Sequence, residues 1–427
     1  MEASRPRLVI VDPGYASTVG HHGEVNRPLL SRLSAAGWRV ALWADVALEA
    51  EAAAPPGLVG AFSGCGYGDL RLGRELGGLV VLARRLEQQL ALASAVEGGE
   101  PVAAWLGHSL LPFQLLGLAR HLAVAPAAQV LVSLMFQPGE TLEEATALES
   151  SPASEQATGN TRVALAALAR ACRQQGHRLS LAFPSRQQEE AYGPLFAATG
   201  LSSAGVHPAV VGGGCRAPAG VEDPPLVLLH WGDQKPGKGR REALAVLEAL
   251  LAGPVPEALR GYGWLFQVHG HGPLPDGEEQ LLQRAEAAGF GLVVLRGAVA
   301  SEPMVGWLAR CPLALLAYDP VRYRLRSSGV LWHWGASRAA VERPAAAVGY
   351  GGGWLATEAA ALGLGWHSAA PAVEASGPAG ELWLAALGRA AAELAGPRRL
   401  SAYGRDLLGG DFSRWCAERL STMPWRA

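Results

Sequence analysis

The stretch Leu226–Leu251 reads LVLLHWGDQKPGKGRREALAVLEALL and decides the fold class of this chain. An apolar run typical of a buried strand leads into a loop rich in glycine and lysine, and a segment with helical apolar spacing follows. The same order occurs near the N-terminus, where strand Leu8–Val11, helix Glu24–Ala36 and strand Arg39–Ala44 are predicted. Strands that alternate with helices predict an α/β protein built on parallel, doubly wound sheets.

A segment rich in glycine and proline, GGGCRAPAGVEDPP at 212–225, divides the 427 residues into two parts. We predict a Rossmann-like domain over 1–211, a linker over 212–225 and a second Rossmann-like domain over 226–395. Doubly wound domains bind ligands outside the carboxyl ends of their strands. The sequence therefore predicts two such domains facing a central cleft that holds the ligand.

The composition disfavours several classes of protein. With 36 basic and 38 acidic residues the net charge is −2, which disfavours a nucleic-acid partner. No apolar run reaches the length of a membrane span, so neither a transmembrane segment nor a signal peptide is predicted. The five cysteines contain no C-x-x-C pair, which indicates neither a disulfide framework nor a zinc site. We expect a cytoplasmic protein, and a peripheral contact with a membrane is compatible with this.

Lysine occurs at two positions only, Lys235 and Lys238, among the 36 basic residues. Both lie in the loop Gly232–Gly239, where glycines allow close approach to a phosphate and ammonium groups neutralise it. The loop nearly matches the P-loop G-x-x-x-x-G-K-[ST], with Asp319 as a candidate second acidic residue. Gly239 lacks the hydroxyl that magnesium requires there, so a P-loop-like NTPase is a lesser alternative. A surface turn that happens to hold both lysines is the other interpretation.

Three histidines are predicted near the carboxyl ends of strands. His21 and His22 lie in the loop Gly20–Gly23, and His108 follows the predicted strand Val102–Leu106. Side chains at such positions face the ligand cleft, which favours hydrogen-bonding or acid–base roles. A structural histidine with satisfied hydrogen bonds is the plainer alternative.

A second anion site is predicted where Arg324–Gly329 leads into the helix Val330–Val341. Free N–H groups at the helix start, the hydroxyl of Ser328 and the guanidinium of Arg324 are suited to hold a phosphate, and an ordinary serine cap is the alternative. No Asp-x-Asp occurs in the chain, so the usual carboxylate pair for a metal-bound nucleotide diphosphate is missing. No metal site is predicted.

These residues resemble the GT-B glycosyltransferases, in particular the retaining group that uses nucleotide-diphosphate sugars. The pattern Gly232-x-x-Lys235-x-x-Lys238-Gly239 is similar to the G-x-x-R-x-x-K-G phosphate loop of that family. The segment Gly270–Pro273 resembles its G-x-G-P turn. The segment Ser327–Val330, with Ser328 and Gly329, resembles the start of the donor-binding helix, whose amides meet the diphosphate.

The N-terminal half and the chain end extend the resemblance. The loop Gly20–Gly23 is similar to the acceptor-side loop of the family, and His108 to a histidine beside the donor sugar. The segment 396–427, with Asp411–Trp415, is similar to the C-terminal helix that crosses back onto the N-terminal domain. One departure is clear: His333 stands where the family carries a glutamate, and no glutamate lies between Gly329 and Glu342.

The resemblance implies a retaining, hexosyltransferase-like enzyme. It would move a sugar from a nucleotide diphosphate to a glycan, lipid or small-molecule acceptor, without a metal and without any cofactor besides the donor. Lys235, Lys238 and the amides of Ser328 and Gly329 would stabilise the departing diphosphate. His108 would position the donor sugar, and His21 or His22 the acceptor or its proton. The missing glutamate keeps a catalytically degenerate GT-B-like protein that binds nucleotide or glycan as the alternative.

Overall fold

The computed structural model describes residues 5–17, 21–51, 53–69, 72–73, 75–136, 138, 152–211, 224–232, 235, 237–270, 274–324, 326–369, 379–394 and 399–422. The chain folds into two compact units. The first unit is Met1–Pro208 with Asp411–Ala427, and the second is Ala209–Gly410. Most of the predicted linker, 212–223, lies outside the described residues.

The first unit is built on a seven-stranded parallel sheet with the strand order β3-β2-β1-β4-β5-β6-β7. Its strands are β1 Arg7–Asp12, β2 Arg39–Asp45, β3 Leu58–Phe62, β4 Ala104–His108, β5 Gln129–Ser133, β6 Arg178–Phe183 and β7 Ser203–Val206. Its helices before the second unit are α1 His21–Ala35, α2 Leu76–Val96, α3 Pro112–Leu122, α4 Pro152–Gln175 and α5 Arg186–Thr199. Every residue of β1, β4 and β5 is buried because helices cover both faces of the sheet.

The second unit repeats the design with six parallel strands in the order β10-β9-β8-β11-β12-β13. Its strands are β8 Leu226–His230, β9 Gly263–Val268, β10 Leu292–Arg296, β11 Leu313–Leu315, β12 Ala346–Tyr350 and β13 Gly365–Ala369. Its helices are α6 Arg240–Ala252, α7 Asp276–Ala287, α8 Ser301–Ala309, α9 Gly329–Ala340, α10 Gly353–Leu362, α11 Ala379–Glu393 and α12 Ala402–Gly409. The predicted class, α/β with two doubly wound parallel sheets, is confirmed.

Two boundaries differ from the sequence prediction. Helix α1 begins at His21 rather than at Glu24, so His21 and His22 lie in its first turn and not in a loop. The described part of the predicted C-terminal segment 396–427, residues 399–422, is also divided between the two units. Helix α12 packs on α9 and α10 of the second unit, whereas α13, Phe412–Thr422, packs on α1 of the first. The apolar side chains Leu407 and Leu408 of α12 are buried.

In each sheet the strand order reverses direction at one position. In both sheets the first three strands run outward to one side, and the fourth strand lies on the other side of the first. The loops that follow β1 and β4, and those that follow β8 and β11, therefore leave the sheet in opposite directions and open a crevice at the carboxyl ends. We call these positions the first and the second switch point.

Candidate functional site

The first switch point is formed by residues from two strands and one helix. Asp12 ends β1 and His108 ends β4, and these strands pair with Val11 opposite Gly107. His22 and Asn26 lie four residues apart on α1 and so share one face of the helix. All four side chains are buried. The parallel register and the helical period together bring them to one place.

Hydrogen bonds connect these four side chains. His22 Nδ1 lies 2.8 Å from Asp12 Oδ2, and Asn26 Nδ2 donates to the same oxygen at 2.6 Å. His108 Nε2 lies 3.0 Å from Asn26 Oδ1 and 3.4 Å from Asp12 Oδ2. We call this group the Asp12 cluster. The sequence analysis proposed both histidines as site residues but not Asp12 or Asn26. A signal for Asp12 was present, because a single aspartate ends the apolar strand β1.

Burial and charge set the protonation states of the cluster. Burial by itself would raise the pKa of Asp12, but His22 and His108, with the hydrogen bonds from His22 and Asn26, lower that pKa to about 2. Burial lowers the pKa of His108 to about 4, against the opposing effect of Asp12. At neutral pH Asp12 is therefore an anion that accepts hydrogen bonds, and His108 is a neutral ring.

The carboxylate of Asp12 fixes the tautomer of His22. An ionised carboxylate can only accept, so His22 carries its proton on Nδ1 and presents the lone pair of Nε2 when the ring is neutral. His22 Nε2 is buried and has no hydrogen-bond partner among the described residues. It points at Gly14, where a Cβ atom would lie 3.1 Å from Nε2 and 2.8 Å from Cε1. Glycine at position 14 therefore leaves room for the imidazole.

The two other predicted histidines differ in exposure. His21 is exposed, and its ring centroid lies 4.0 Å from that of His22, so the two rings are in contact. His108 has no exposed surface. Its Nδ1 lies 3.3 Å from Ser109 Oγ, which places both ring nitrogens against protein atoms. In this conformation the ring therefore offers no exposed atom for the implied contact with a donor sugar.

The same cluster contains the donor atoms for a metal ion. Asp12, His22 and His108 form a group, within the described part of the chain, whose ligand atoms all lie within 4.8 Å of one another. The 2.8 Å between His22 and Asp12 is the length of a charge-assisted hydrogen bond, and His108 is within hydrogen-bonding distance of Asn26. Hydrogen bonding thus accounts for the arrangement of the three residues.

The second switch point brings the lysine loop and helix α9 together. Gly232 follows β8, and a Cβ atom at this position would lie 4.0 Å from Lys238 Nζ and 3.8 Å from Val330 Cγ2. Val330 belongs to the first turn of α9, whose N-cap is Ser328. The ammonium group, the strand end and the start of α9 therefore meet at one point, which we call the Lys238 corner.

Close contacts hold the backbone of the lysine loop. Gly239 has φ +76°, and a Cβ atom there would lie 3.0 Å from the carbonyl oxygen of Ala317, which follows β11. The Gly232 N–H donates to Gln267 Oε1 at 2.9 Å, and Gln267 Nε2 donates to the Gly297 carbonyl at 2.9 Å. The sequence analysis did not propose Gln267, although it is a polar residue within the apolar strand β9.

Helix α9 begins close to its predicted start. Ser328 Oγ accepts a hydrogen bond from the Leu331 N–H at 3.3 Å, while Gly329 is exposed. The N–H groups of a first helical turn have no partner within the helix and attract anions. His333 lies one turn later, with its Cδ2 4.0 Å from a Cβ built at Gly329. An imidazole thus stands near the helix start, at the position where the resemblance given above implies a glutamate.

Other predicted donor residues lie outside this corner. Lys235 is exposed, and its carbonyl accepts from the Lys238 N–H at 3.3 Å. Arg324 is exposed, and its Cα lies 3.8 Å from a Cβ built at Gly353. Arg240 does not point to solvent as its place at the helix start suggests; it forms a salt bridge with Glu278 on α7. Of the predicted G-x-G-P turn, 271–273 lie outside the described residues.

A buried glutamate lies behind α9. Glu358 on α10 is 1% exposed, and its Oε1 accepts from the Trp332 indole N–H at 3.4 Å and from the Tyr403 hydroxyl at 3.1 Å. Trp332 is on α9, so this carboxylate fastens α9 to α10 and α12. Glu358 does not occupy position 333, where the resemblance given above implies a glutamate.

Solved structures match the chain over nearly its whole length. One described as trehalose-6-phosphate from E. coli bound with UDP-2-fluoro glucose is 13% identical with a TM-score of 0.58, covering 98% of this chain and 100% of that one. An α,α-trehalose-phosphate synthase (UDP-forming) from Burkholderia xenovorans, in complex with glucose-6-phosphate, is 13% identical with a TM-score of 0.58, covering 97% and 99%. The chain has the GT-B fold.

At this identity the likeness shows the fold, and the activity needs its own argument. No family model and no curated protein matches the sequence. Among the described residues, no helix of the GT-B chain is both long and apolar enough to cross a bilayer.

Proposed function

We propose that this GT-B protein is a glycosyltransferase that moves a hexosyl unit from a nucleotide-diphosphate sugar to an acceptor bound by the first unit. The observation that carries the proposal is the Lys238 corner. A cation, a strand end bearing glycine and the first turn of a helix converge at the switch point of a doubly wound sheet. This is where such sheets bind phosphate groups.

The Lys238 corner is suited to the charge that develops on the leaving group. When the bond to the sugar breaks, negative charge grows on the diphosphate, and fixed donors that already point at it lower the barrier. Lys238 Nζ and the amides at Gly329 and Val330 would supply these donors. Lys235 would add a second, more exposed cation. Because fixed protein charges perform this task, we propose that transfer needs no metal ion.

His22 is the residue we assign to the acceptor. Asp12 holds its proton on Nδ1, so Nε2, which is buried and has no hydrogen-bond partner among the described residues, would accept a hydrogen bond from an acceptor hydroxyl that reaches it. Asn26 and His108 act through Asp12 as positioning residues, because both are buried and hydrogen-bonded to the cluster. His21 is exposed next to His22 and provides a matched control for it.

The neighbours suggest the first substrates to test. One was solved with UDP-2-fluoro glucose and another with glucose-6-phosphate, so UDP-glucose as donor and a hexose phosphate as acceptor form the starting pair. Another solved structure that the chain matches, of trehalose-6-phosphate synthase, is described in terms of glycosyl transfer with retention. We propose retention here as well, and the anomeric configuration of the product, observed by NMR, tests it.

A transfer assay with purified protein tests the proposal. Nucleotide diphosphate release from UDP-, GDP- and ADP-sugars is measured with and without acceptor, and with excess EDTA. We expect one of these donors to release its nucleotide diphosphate, and we expect this release to persist in EDTA. Lys238→Ala should weaken donor binding, whereas Arg241→Ala should not, since the Arg241 side chain is 90% exposed.

The acceptor side has its own variant. His22→Ala should lower transfer about 100-fold and leave nucleotide binding intact, and His21→Ala should change transfer little. Nucleotide binding without turnover for every donor would favour the catalytically degenerate alternative. Magnesium-dependent phosphate release from ATP would favour an NTPase instead.

A further inference from the structure

Helix α2 carries exposed apolar side chains on its outer face. Ten large apolar side chains are exposed in the described part of the chain, and five of them lie on this one helix, with Leu72 just before it. The five are Leu76, Val80, Val81, Leu92 and Val96, each between 46% and 74% exposed. Scattered exposed apolar residues are ordinary, but these five lie in two groups near the ends of one helix of 21 residues, with the exposed Arg84, Arg85 and Gln88 between them.

The inner face of α2 is apolar as well, which fixes the orientation of the helix. Leu79, Leu82, Leu86 and Leu90 are fully buried and follow the spacing of a helix face packed on a core. The exposed fractions of the five outer side chains are those with the rest of the chain in place, so no described residue covers the outer face of α2.

The charges around this face are mostly of one sign. Helices α2, α3 and α4 pack side by side, and their described side chains include a single carboxylate, Glu87, which is paired with Arg120. Glu75 and Glu97 cap the two ends of α2, and Glu97 pairs with Arg7. The same three helices carry exposed arginines at Arg84, Arg85, Arg120, Arg162, Arg170 and Arg173. The protein as a whole has a net charge of −2, so this surface is basic against the overall balance.

These properties favour one kind of partner. Apolar side chains between arginines suit the boundary between headgroups and acyl chains, where the apolar groups insert and the guanidinium groups reach lipid phosphates. A second copy of the chain would bring arginines against arginines, which repel each other. We propose that the outer face of α2, with the arginines of α3 and α4, docks on a bilayer that contains anionic phospholipid. This inference does not depend on the proposed transferase activity.

Vesicle flotation tests the docking surface with the full-length protein. Vesicles of phosphatidylcholine alone are compared with vesicles of phosphatidylcholine mixed with phosphatidylglycerol, at low and high salt. Binding is expected with phosphatidylglycerol only, and high salt should weaken it. Each basic residue near an anionic surface contributes about a fivefold factor, so Arg84→Glu, which changes two charges, should weaken binding about 25-fold.

Matched variants separate the surface from general effects. Arg389→Glu reverses an exposed arginine on α11 of the second unit and should leave binding unchanged. Val80→Ser with Val81→Ser should reduce binding, whereas Val321→Ser, at a comparably exposed valine elsewhere, should not. Circular dichroism melts confirm that each variant is folded.

Three outcomes would overturn the proposal. These are equal binding to both vesicles, no binding to either, and unchanged binding of Arg84→Glu. A dimer of the wild-type protein that Val80→Ser with Val81→Ser turns into a monomer, together with absent vesicle binding, would assign the face to a second copy instead.

Discussion

The two switch points share one strand order and differ in chemistry. At the first, the anion Asp12 is enclosed with two histidines and Asn26, and hydrogen bonds join all four side chains. At the second, glycines and the half-buried Lys238 surround the start of a helix. The same topology therefore places an internal negative charge at one position and, at the other, the cationic and N–H groups of the proposed donor site.

The difference also concerns what each position contributes before a substrate binds. The Asp12 cluster satisfies its own charge, so its residues contribute to the stability of the empty first unit. The Lys238 corner brings an ammonium group near the start of a helix, so we propose that an anion binds favourably there. We therefore expect changes at the first switch point to lower stability and changes at the second to lower nucleotide affinity.

The largest expected effect is an acid-induced loss of stability in the first unit. Burial lowers the pKa of His108, His121 and His207 in that unit to about 4. Between pH 6.5 and 4 the unfolded chain therefore binds more protons than the folded one, and stability falls as the pH decreases, by about 2 to 3 kcal/mol for each histidine.

Hydrogen exchange observed by mass spectrometry at pH 7 and 4.5, corrected for intrinsic rates, checks this. Peptides of β4 and β5 should lose protection at pH 4.5 before those of β8 and β9. Equal loss in both units would contradict the assignment of three neutral buried histidines to the first.

A smaller effect is expected from removing the buried carboxylate. Asp12→Ala leaves the donors of His22 and Asn26 without their acceptor, which should lower the free energy of unfolding by about 3 kcal/mol. Urea unfolding measures this, and Asp406→Ala, at an exposed aspartate, should change it by less than about 0.5 kcal/mol. Similar values for both variants would show that the cluster contributes no stability.

A still smaller effect is expected at the second switch point. An alanine at position 239 would have a positive φ, and its Cβ would lie 3.0 Å from the Ala317 carbonyl oxygen. An alanine at position 261 would also have a positive φ, but its Cβ would have no atom within 4 Å. Gly239→Ala should therefore cost about 1 kcal/mol more and should also abolish the thermal shift caused by the preferred nucleotide diphosphate. A normal thermal shift in Gly239→Ala would place the nucleotide elsewhere.

The sequence predicted the framework of each switch point better than its side-chain contacts. The apolar run that begins at Leu226 placed β8, and Gly239 at the end of the predicted loop correctly marked the start of α6, because strand burial and helix starts are encoded locally. The pairing of Arg240 with Glu278 depends on how α6 packs on α7, which no local pattern contains.

The Asp12 cluster shows the same limit more clearly. Asp12 and His108 stand 96 positions apart and meet because β1 and β4 are neighbours in the sheet, which follows from strand order rather than from spacing. His22 and Asn26 lie on one helix face only because α1 begins three residues earlier than its pattern indicates. Their burial, which sets the pKa of Asp12 and His108, follows from this packing.

Amine labelling tests the central claim most directly, because Lys235 and Lys238 are the only lysines in the chain. An amine-specific acylating reagent is applied with and without saturating nucleotide diphosphates, and the labelled peptides are quantified by mass spectrometry. A diphosphate at the Lys238 corner would hold the ammonium group in charge-assisted hydrogen bonds, so one nucleotide should slow labelling of Lys238 strongly and of the exposed Lys235 less. Equal labelling of both lysines with and without every nucleotide diphosphate would contradict the assignment of the second switch point as the donor site.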